Sequence, residues 1–301
     1  MENEKFTQPI NDYTDGSNID GDKDYDFWRP GPMAKGFDFY EVLPTFMQKA
    51  KNYINQASKK NDPFFLYLPL AAPHTPWVPK VNHHGQSDAG MYGEFVQMVD
   101  DQVGHLLQYI ESQGISDETL VIFTSDNGPY WKSHHIEKYN HKAAADLRGM
   151  KGDIYEAGHR VPFIVKWPGK VPASTSAHGV NSLANFYSTV ADLLSEDSRA
   201  FDSYSLFDEL TEKQNKTAIN PIIHHSSEGH FALRYGDWKM IEKRGSGGFT
   251  PPSSGPTPKG EKEERLFNLN DDPSEKINLS QKFPQQLEKM IRKLDSIRLI
   301  H

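Results

Sequence analysis

The sequence predicts an α/β fold built on a mixed, mostly parallel sheet, followed by a small carboxyl-terminal α+β subdomain. Three short apolar runs, at 64–68, 120–124 and 161–167, are bounded by breakers, the first two with an amphipathic helical stretch between them, so they read as buried strands. After about residue 200 the pattern changes to short strands and turns and closes on one more helix. The expected division is 1–200 for the α/β part and 201–301 for the subdomain.

In chain order, residues 1–38 are rich in Asp, Asn, Gly and Lys and predict a solvated irregular segment. The acidic run 15–26 hints at a calcium loop. It fails the EF-hand pattern, because Gly16 takes the first ligand position when Asp20-Gly21 is aligned and no Glu closes it. Residues 42–57 predict a helix with Phe46, Ala50, Tyr53 and Ile54 on one face, stopped by the breakers 59–63. The strand at 64–68 leads into the loop Pro73-His74-Thr75-Pro76. Residues 92–112 form a long amphipathic helix with Phe95, Val99, Val103, Leu106, Leu107 and Ile110 inward and Gly114 as its cap. With the strand at 120–124 this makes a right-handed βαβ unit, hence parallel pairing. The third strand ends at Pro168-Gly169, and a helix at 181–194 follows. Beyond 200, strands are expected at 222–224, 230–235 and 238–243, an edge strand at 265–269 and a helix at 284–297. The Gly/Ser/Pro/Lys-rich stretch 245–264 predicts a mobile hairpin loop.

Composition narrows the function. Of 301 residues, 36% are hydrophobic and 25% charged, which fits a globular chain, and the apolar run 64–72 is too short and proline-rich to span a bilayer. No basic and apolar leader opens the chain. The 33 basic and 41 acidic residues give a net charge of −8 without a basic stripe, which argues against nucleic acid. An anionic substrate therefore needs a local cluster of cations or a metal. With no cysteine, disulfides, thiolate zinc sites and cysteine nucleophiles are excluded.

The strongest motif is Thr124-Ser125-Asp126-Asn127-Gly128, directly after a buried strand. Ligands gather at the carboxyl ends of strands in parallel sheets, and Asp126 with Asn127 offers hard oxygen donors suited to Ca²⁺ or Mg²⁺. An ordinary Asp-Asn-Gly turn is the alternative. His74, in the loop after the preceding strand, can donate to an anionic oxygen or move a proton near neutral pH, or be a plain surface group. Lys151 sits between Gly149 and Gly152, where backbone can approach a ligand, and its ammonium suits sulfate or phosphate oxygens. Arg148 and Arg160 read as structural ion-pair partners. His134, His135, Tyr139 and His141 follow the acidic pair and could bind a sugar or a second anion, or belong to a solvated loop.

These motifs, in order, resemble the type I, arylsulfatase-A-like sulfatases of the alkaline-phosphatase-like superfamily. The likeness runs over roughly 25–195, and Gly236-Asp237-Trp238-Lys239 with Leu266-Phe267-Asn268-Leu269 is similar to the family's carboxyl-terminal subdomain. The resemblance implies a sulfuric ester hydrolase acting through a metal-assisted formylglycine mechanism, with a sulfated carbohydrate as substrate. It implies that Asp126 and Asn127 are metal ligands, usually to calcium, and that His74 contacts the sulfate ester and protonates the leaving alcohol. Lys151 matches the lysine that holds a sulfate oxygen, and His134, His135 and His141 fall in a loop used around the substrate pocket. A periplasmic, extracellular or lysosomal location goes with the family.

The chain also departs from the pattern. Formylglycine is made from a Cys or Ser in Cys/Ser-x-Pro-x-Arg, and this sequence contains neither form. The paired aspartates before that motif and the Lys-x-His after it are likewise unmatched. The expectation is a carboxyl-terminal portion of a sulfatase that is inactive alone. Two rivals remain open: a phosphatase or phosphodiesterase of the same superfamily, and a non-catalytic sulfoglycan-binding remnant.

Overall fold

Leu43, Met47, Ala50, Ile54 and Ala57 recur at helical spacing and are the buried positions of the first long helix. The computed structural model describes residues 5–16, 29–60, 62–177, 179–197, 200–211 and 219–299. It has two compact units, Met1–Asp117 with Glu137–His141, and Glu118–Ile136 with Lys142–His301. The change of pattern near residue 200 falls inside the second.

In the first unit, β1 (Ile10–Thr14) pairs antiparallel with β2 (Gly31–Ala34). This corrects the irregular segment expected before 38. The hairpin rests on its backbone ladder, since only Thr14 of β1 is buried, so no apolar alternation announces it. Most of the run 15–26 weighed as a calcium loop lies outside the described residues. Helix α1 (Val42–Ala57) packs against α2 (Gly90–Ser112), which buries Phe95, Met98, Val99 and Ile110. The face of α1 is rotated from the one expected: Phe46 and Tyr53 stay exposed, while Leu43 and Met47 are buried. Gly114 follows α2 at φ +71 with its N–H donating to Glu111 O (2.9 Å), the left-handed stop its sequence predicts.

Residues 64–68 carry no strand among the described residues. Their side chains alternate, with Phe64, Leu66 and Leu68 half-buried and Phe65 and Tyr67 64% and 76% exposed. A strand needs a neighbour to bond its N–H and C=O groups, and no ladder runs beside this segment among the described residues. The predicted parallel βαβ unit is therefore not formed.

In the second unit, β3 (Val121–Thr124) pairs antiparallel with β4 (Phe163–Lys166), in register Val121↔Lys166 through Thr124↔Phe163. Parallel pairing was expected. The burial expected of both runs is also corrected, since β3 is half-buried and β4 mostly exposed. Composition marks a strand but not its direction, which the connection sets, and this one passes through α3 (Ser133–Tyr139) and α4 (Glu156–His159). Next come α5 (Asn185–Leu193) and α6 (Phe207–Leu210). Four strands, β5 (Ile222–His225), β6 (Phe231–Tyr235), β7 (Trp238–Ile241) and β8 (Arg265–Asn268), then form an antiparallel sheet in sequence order. The β6–β7 hairpin turns on Gly236 at φ +60, and β8 is the edge strand expected.

Helix α7 (Pro284–Arg298), with Pro284 in its first turn, covers one face of this sheet. Leu287, Met290 and Leu294 pack with Leu233, Met240 and Leu266, at about 1.5–3 kcal/mol for each fully buried side chain. The other face is covered too. Ala232, Ile241 and Phe267 cluster with Ile154 and Tyr155, so the sheet backs the segment that follows Lys151. Among the described residues no helix is long and apolar enough to cross a membrane.

Candidate active site

Gly128 explains why the loop after β3 has one shape. A Cβ there would lie 1.7 Å from the carbonyl oxygen of Ala157, so only glycine lets the two backbones meet. Its N–H donates to Gly158 O (2.9 Å), and a Cβ at Gly158 would in turn lie 2.1 Å from Asp153 O. Just beyond, Lys151 N donates to Pro129 O (2.8 Å). The loop carrying Asp126 and Asn127 and the turn carrying Lys151 are thereby bonded backbone to backbone within the second unit.

Lys151 lies between Gly149 at φ +87 and Gly152 at φ +85, a turn that residues with a Cβ adopt only under strain. Asp153, almost fully buried, holds the turn: Oδ2 accepts from Met150 N (2.8 Å) and from the Thr250 hydroxyl, and Oδ1 accepts from Thr250 N (3.0 Å). Ser246 O accepts from Ile154 N (2.8 Å), and Ser246 is itself buried. This corrects the mobile loop predicted from 245, since its first part is packed onto the Lys151 turn. Small polar residues gave the impression of mobility, but here their backbones and hydroxyls are the bonding groups. Asp153 and Thr250 were missed because nothing local in the sequence pairs residues so far apart.

At the acidic pair, Ser125 Oγ donates to Asn127 O (3.0 Å), and Asn127 Nδ2 donates to Gly128 O (3.1 Å). That contact leaves the amide oxygen as the Asn127 atom available to a cation. Asp126 is exposed. The two oxygens are hard donors of the kind Ca²⁺ and Mg²⁺ take, and they fit one side of such a site. Calcium takes about six to eight oxygens, and among the described residues no group of three His, Asp or Glu side chains is placed to hold a metal ion.

The structure brings the loop of Asp126 and Asn127 and the turn of Lys151 into backbone contact. His74 lies in the first unit, exposed, with Nδ1 donating to Thr75 O (2.7 Å), so the neutral ring carries its proton on Nδ1. His134 and His141 are exposed. His135 is corrected: it is 1% exposed, its ring against Trp131 (centroids 4.7 Å apart) and its Nδ1 accepting from Lys132 N (3.3 Å). Burial removes it from the groups that can touch a substrate. Arg148, expected in an ion pair, instead donates to the backbone Glu275 O (2.8 Å) and stacks on Tyr155.

Below the site is a second cluster that the sequence does not reveal. Lys239 Nζ donates to Glu156 Oε1 (3.0 Å) and to His159 Nε2 (3.1 Å), and Glu275 Oε2 accepts from Glu156 N (2.7 Å). Burial would raise the Glu156 carboxyl, but the Lys239 ammonium beside it outweighs burial and leaves it below the ordinary value. Burial raises Glu275. Burial and the Lys239 ammonium press His159 down to about 3, and burial with His159 beside it lowers His224 as well.

A model of the Sulfatase family matches residues 1–196. The chain belongs to the sulfatase family. An N-acetylgalactosamine-6-O-sulfatase of Bacteroides thetaiotaomicron is 29% identical over 287 residues, covering 90% of this sulfatase chain and 54% of the relative. A B. thetaiotaomicron sulfatase structure, solved in work on the metabolism of multiple glycosaminoglycans, superposes with a TM-score of 0.77 at 28% identity, covering 87% of this chain and 55% of that one. Ps i-CgsB in complex with k-i-k-neocarrahexaose superposes with a TM-score of 0.69 at 26% identity, covering 88% and 57%. The fold is alkaline-phosphatase-like, in mixed α/β form. The chain spans about half the length of the curated relatives it matches.

Proposed function

We propose that this chain is part of a sulfatase that hydrolyses sulfate esters on glycans, outside the cytoplasm. What supports the reading is the hydrogen bond from Lys151 N to Pro129 O (2.8 Å), which ties the turn carrying Lys151 to the loop carrying Asp126 and Asn127. An ammonium next to two hard oxygen donors suits a tetrahedral sulfate approached by a divalent cation. In this reading Lys151 binds a sulfate oxygen and opposes the charge that builds as the S–O bond breaks. His74, protonated, gives a proton to the leaving alcohol from Nε2, while Nδ1 stays on Thr75 O. Asp126 and Asn127 would hold Ca²⁺, or Mg²⁺, which supplies Lewis-acid charge when bound.

The nucleophile expected from the family is a formylglycine hydrate, and the chain has no Cys or Ser-x-Pro-x-Arg to form it. The chain alone is therefore proposed to bind sulfate esters without turning them over. Residues 1–200 carry the site, and 201–301 back the Lys151 turn. His134 and His141 are proposed sugar contacts. The name of the bacterial relative points to N-acetylgalactosamine 6-sulfate as the probe. Calorimetry should find it bound by the 301-residue chain more tightly than N-acetylgalactosamine, with the difference removed by Lys151→Ala. Equal binding of the two sugars would sink the reading.

A further inference from the structure

Phe249 is a large apolar side chain that remains 51% exposed although its surroundings are tightly built. It belongs to the stretch from 245 that crosses from the carboxyl-terminal sheet onto the Lys151 turn. Its neighbour Thr250 is fastened to Asp153 through both backbone N–H and hydroxyl. On the other side Gly248 lies so close to the turn that a Cβ there would be 2.3 Å from Gly152 O. The ring itself rests over Gly152, where an added Cβ would meet Phe249 Cδ2 and Cε2 at 3.2 Å. It also meets the Tyr130 ring at 5.6 Å and 83°, an edge-to-face contact. Lys132 Nζ lies 5.3 Å from the Tyr130 ring centre, giving the patch a second positive charge.

Burial does not require this arrangement. An apolar ring that served only packing would gain more by turning inward, and leaving half of it in water forgoes part of the roughly 1.5–3 kcal/mol of full burial. The ring rests over Gly152, the residue after Lys151, and Tyr130 is three residues past Asn127. Rigid aromatic faces next to an anion site suit a ligand with an apolar face joined to an anion. A pyranose has such a face in its axial C–H groups, and a sulfated glycan carries the anion.

We infer that Phe249 and Tyr130, set beside Lys151 and Lys132, form a stacking subsite for a sugar ring of a sulfated glycan. The subsite rests on the sulfate-ester reading for the sugar it takes, but its contact is with the ring and not with the sulfate. Phe249 sets which sugar and linkage fit, and Lys132 meets a further anionic group on the same chain of sugars.

The test is binding of a chondroitin 6-sulfate tetrasaccharide and its desulfated counterpart to the 301-residue protein, by calorimetry and saturation-transfer NMR. Phe249→Leu keeps an apolar cover over Gly152 without a π face, and Phe249→Trp keeps the face. Phe249→Leu should weaken both sugars about threefold to tenfold, Phe249→Trp should not, and sugar ring protons should receive saturation from the aromatic region. Lys151→Ala should remove only the preference for the sulfated sugar. Wild-type affinity in Phe249→Leu, or no binding of either sugar by the wild type, overturns the subsite. If both sugars bind alike and Phe249→Leu weakens both, the subsite stands and the sulfate site fails.

Discussion

The Lys239 ammonium lies 2.9 Å from Glu275 Oε1, and neither side chain reaches solvent. Glu156 and His159 complete the ring of acceptors around it. An ammonium always donates, so His159 Nε2 must accept from it and the imidazole is neutral with its proton on Nδ1. The approach of the same Nε2 to Ile154 O at 3.1 Å is then a contact and not a hydrogen bond. Lys239 and Ile241 alternate with Met240 along β7, which puts this cluster on the face opposite α7, beneath the segment running from Lys151 to His159. The charge thus joins the four-stranded sheet to the loops of the candidate site.

Removing that charge exposes the cost of the arrangement. Lys239→Met leaves Glu156 and Glu275 close together in the interior without the buried ammonium between them, with only Arg160, 4.0 Å from Glu156, and Arg234 nearby. Breaking a buried ion pair from one side costs about 3–5 kcal/mol, and urea unfolding should read a loss of that order. Adding Glu275→Gln neutralises one carboxylate and should return part of it. A midpoint for Lys239→Met equal to that of the wild type would refute the cluster.

The same cluster fixes a pH dependence. His159 and His224 are held neutral in the fold, with pKa values below that of the unfolded chain. Their contribution is complete above about pH 6.5 and is lost as pH falls, because the unfolded chain gains protons that the fold refuses. For His159, held down at about 3, the loss is about 2 kcal/mol between pH 7 and 5, and His224 adds to it in the same direction. Glu156, lowered, adds a further loss below the usual carboxylate range. Glu275, raised, works the other way, its stabilising protonation being present at low pH and lost as pH rises. The histidines titrate first on acidification, so thermal midpoints should fall from pH 7 to 5, and His159→Gln should flatten the fall.

Much of this was legible in the sequence where a pattern has a local cause. Helices α1, α2 and α7 follow from apolar spacing, and the β6–β7 hairpin from Gly236. The acidic pair could be placed because it follows a run of four apolar residues and ends on a glycine. Other features had no local signal. Lys239, in an alternating strand, has the look of a solvent-facing residue, and its burial depends on Glu156 and Glu275, far along the chain. The strand direction of β3 against β4 and the packing of 245–250 on Asp153 are likewise set by remote partners. The segment 64–68 has a strand's composition, but a ladder needs a second strand.

Calcium binding tests the acidic pair. With two side-chain donors, the chain should bind Ca²⁺ weakly, at about millimolar dissociation constants, and Asp126→Ala should abolish that binding. Gly128→Ala should weaken it too, because its Cβ would push against the Ala157 carbonyl and displace the loop. Micromolar affinity removed by Asp126→Ala would mean that other ligands complete the site. Calorimetric titration distinguishes the cases.

Activity is the last test, and it turns on the nucleophile. In the proposed reading Lys151 neutralises a sulfate ester and His74 serves its leaving alcohol, but neither can attack sulfur as an aldehyde hydrate does. Nucleophile and charge-stabilising groups act as a unit, so losing the first should cost many orders of magnitude. The 301-residue chain should therefore show no detectable hydrolysis of an aryl sulfate. Joined to a segment carrying a matured Cys/Ser-x-Pro-x-Arg motif, it should hydrolyse the ester. In that enzyme Lys151→Ala and His74→Ala should each lower kcat by about 100-fold or more with the thermal midpoint unchanged. The His74→Ala loss should shrink for esters whose leaving alcohol is acidic, since such a group departs without a proton. Turnover by the bare chain that disappears with Lys151→Ala would place the nucleophile among the residues present here and overturn this mechanism.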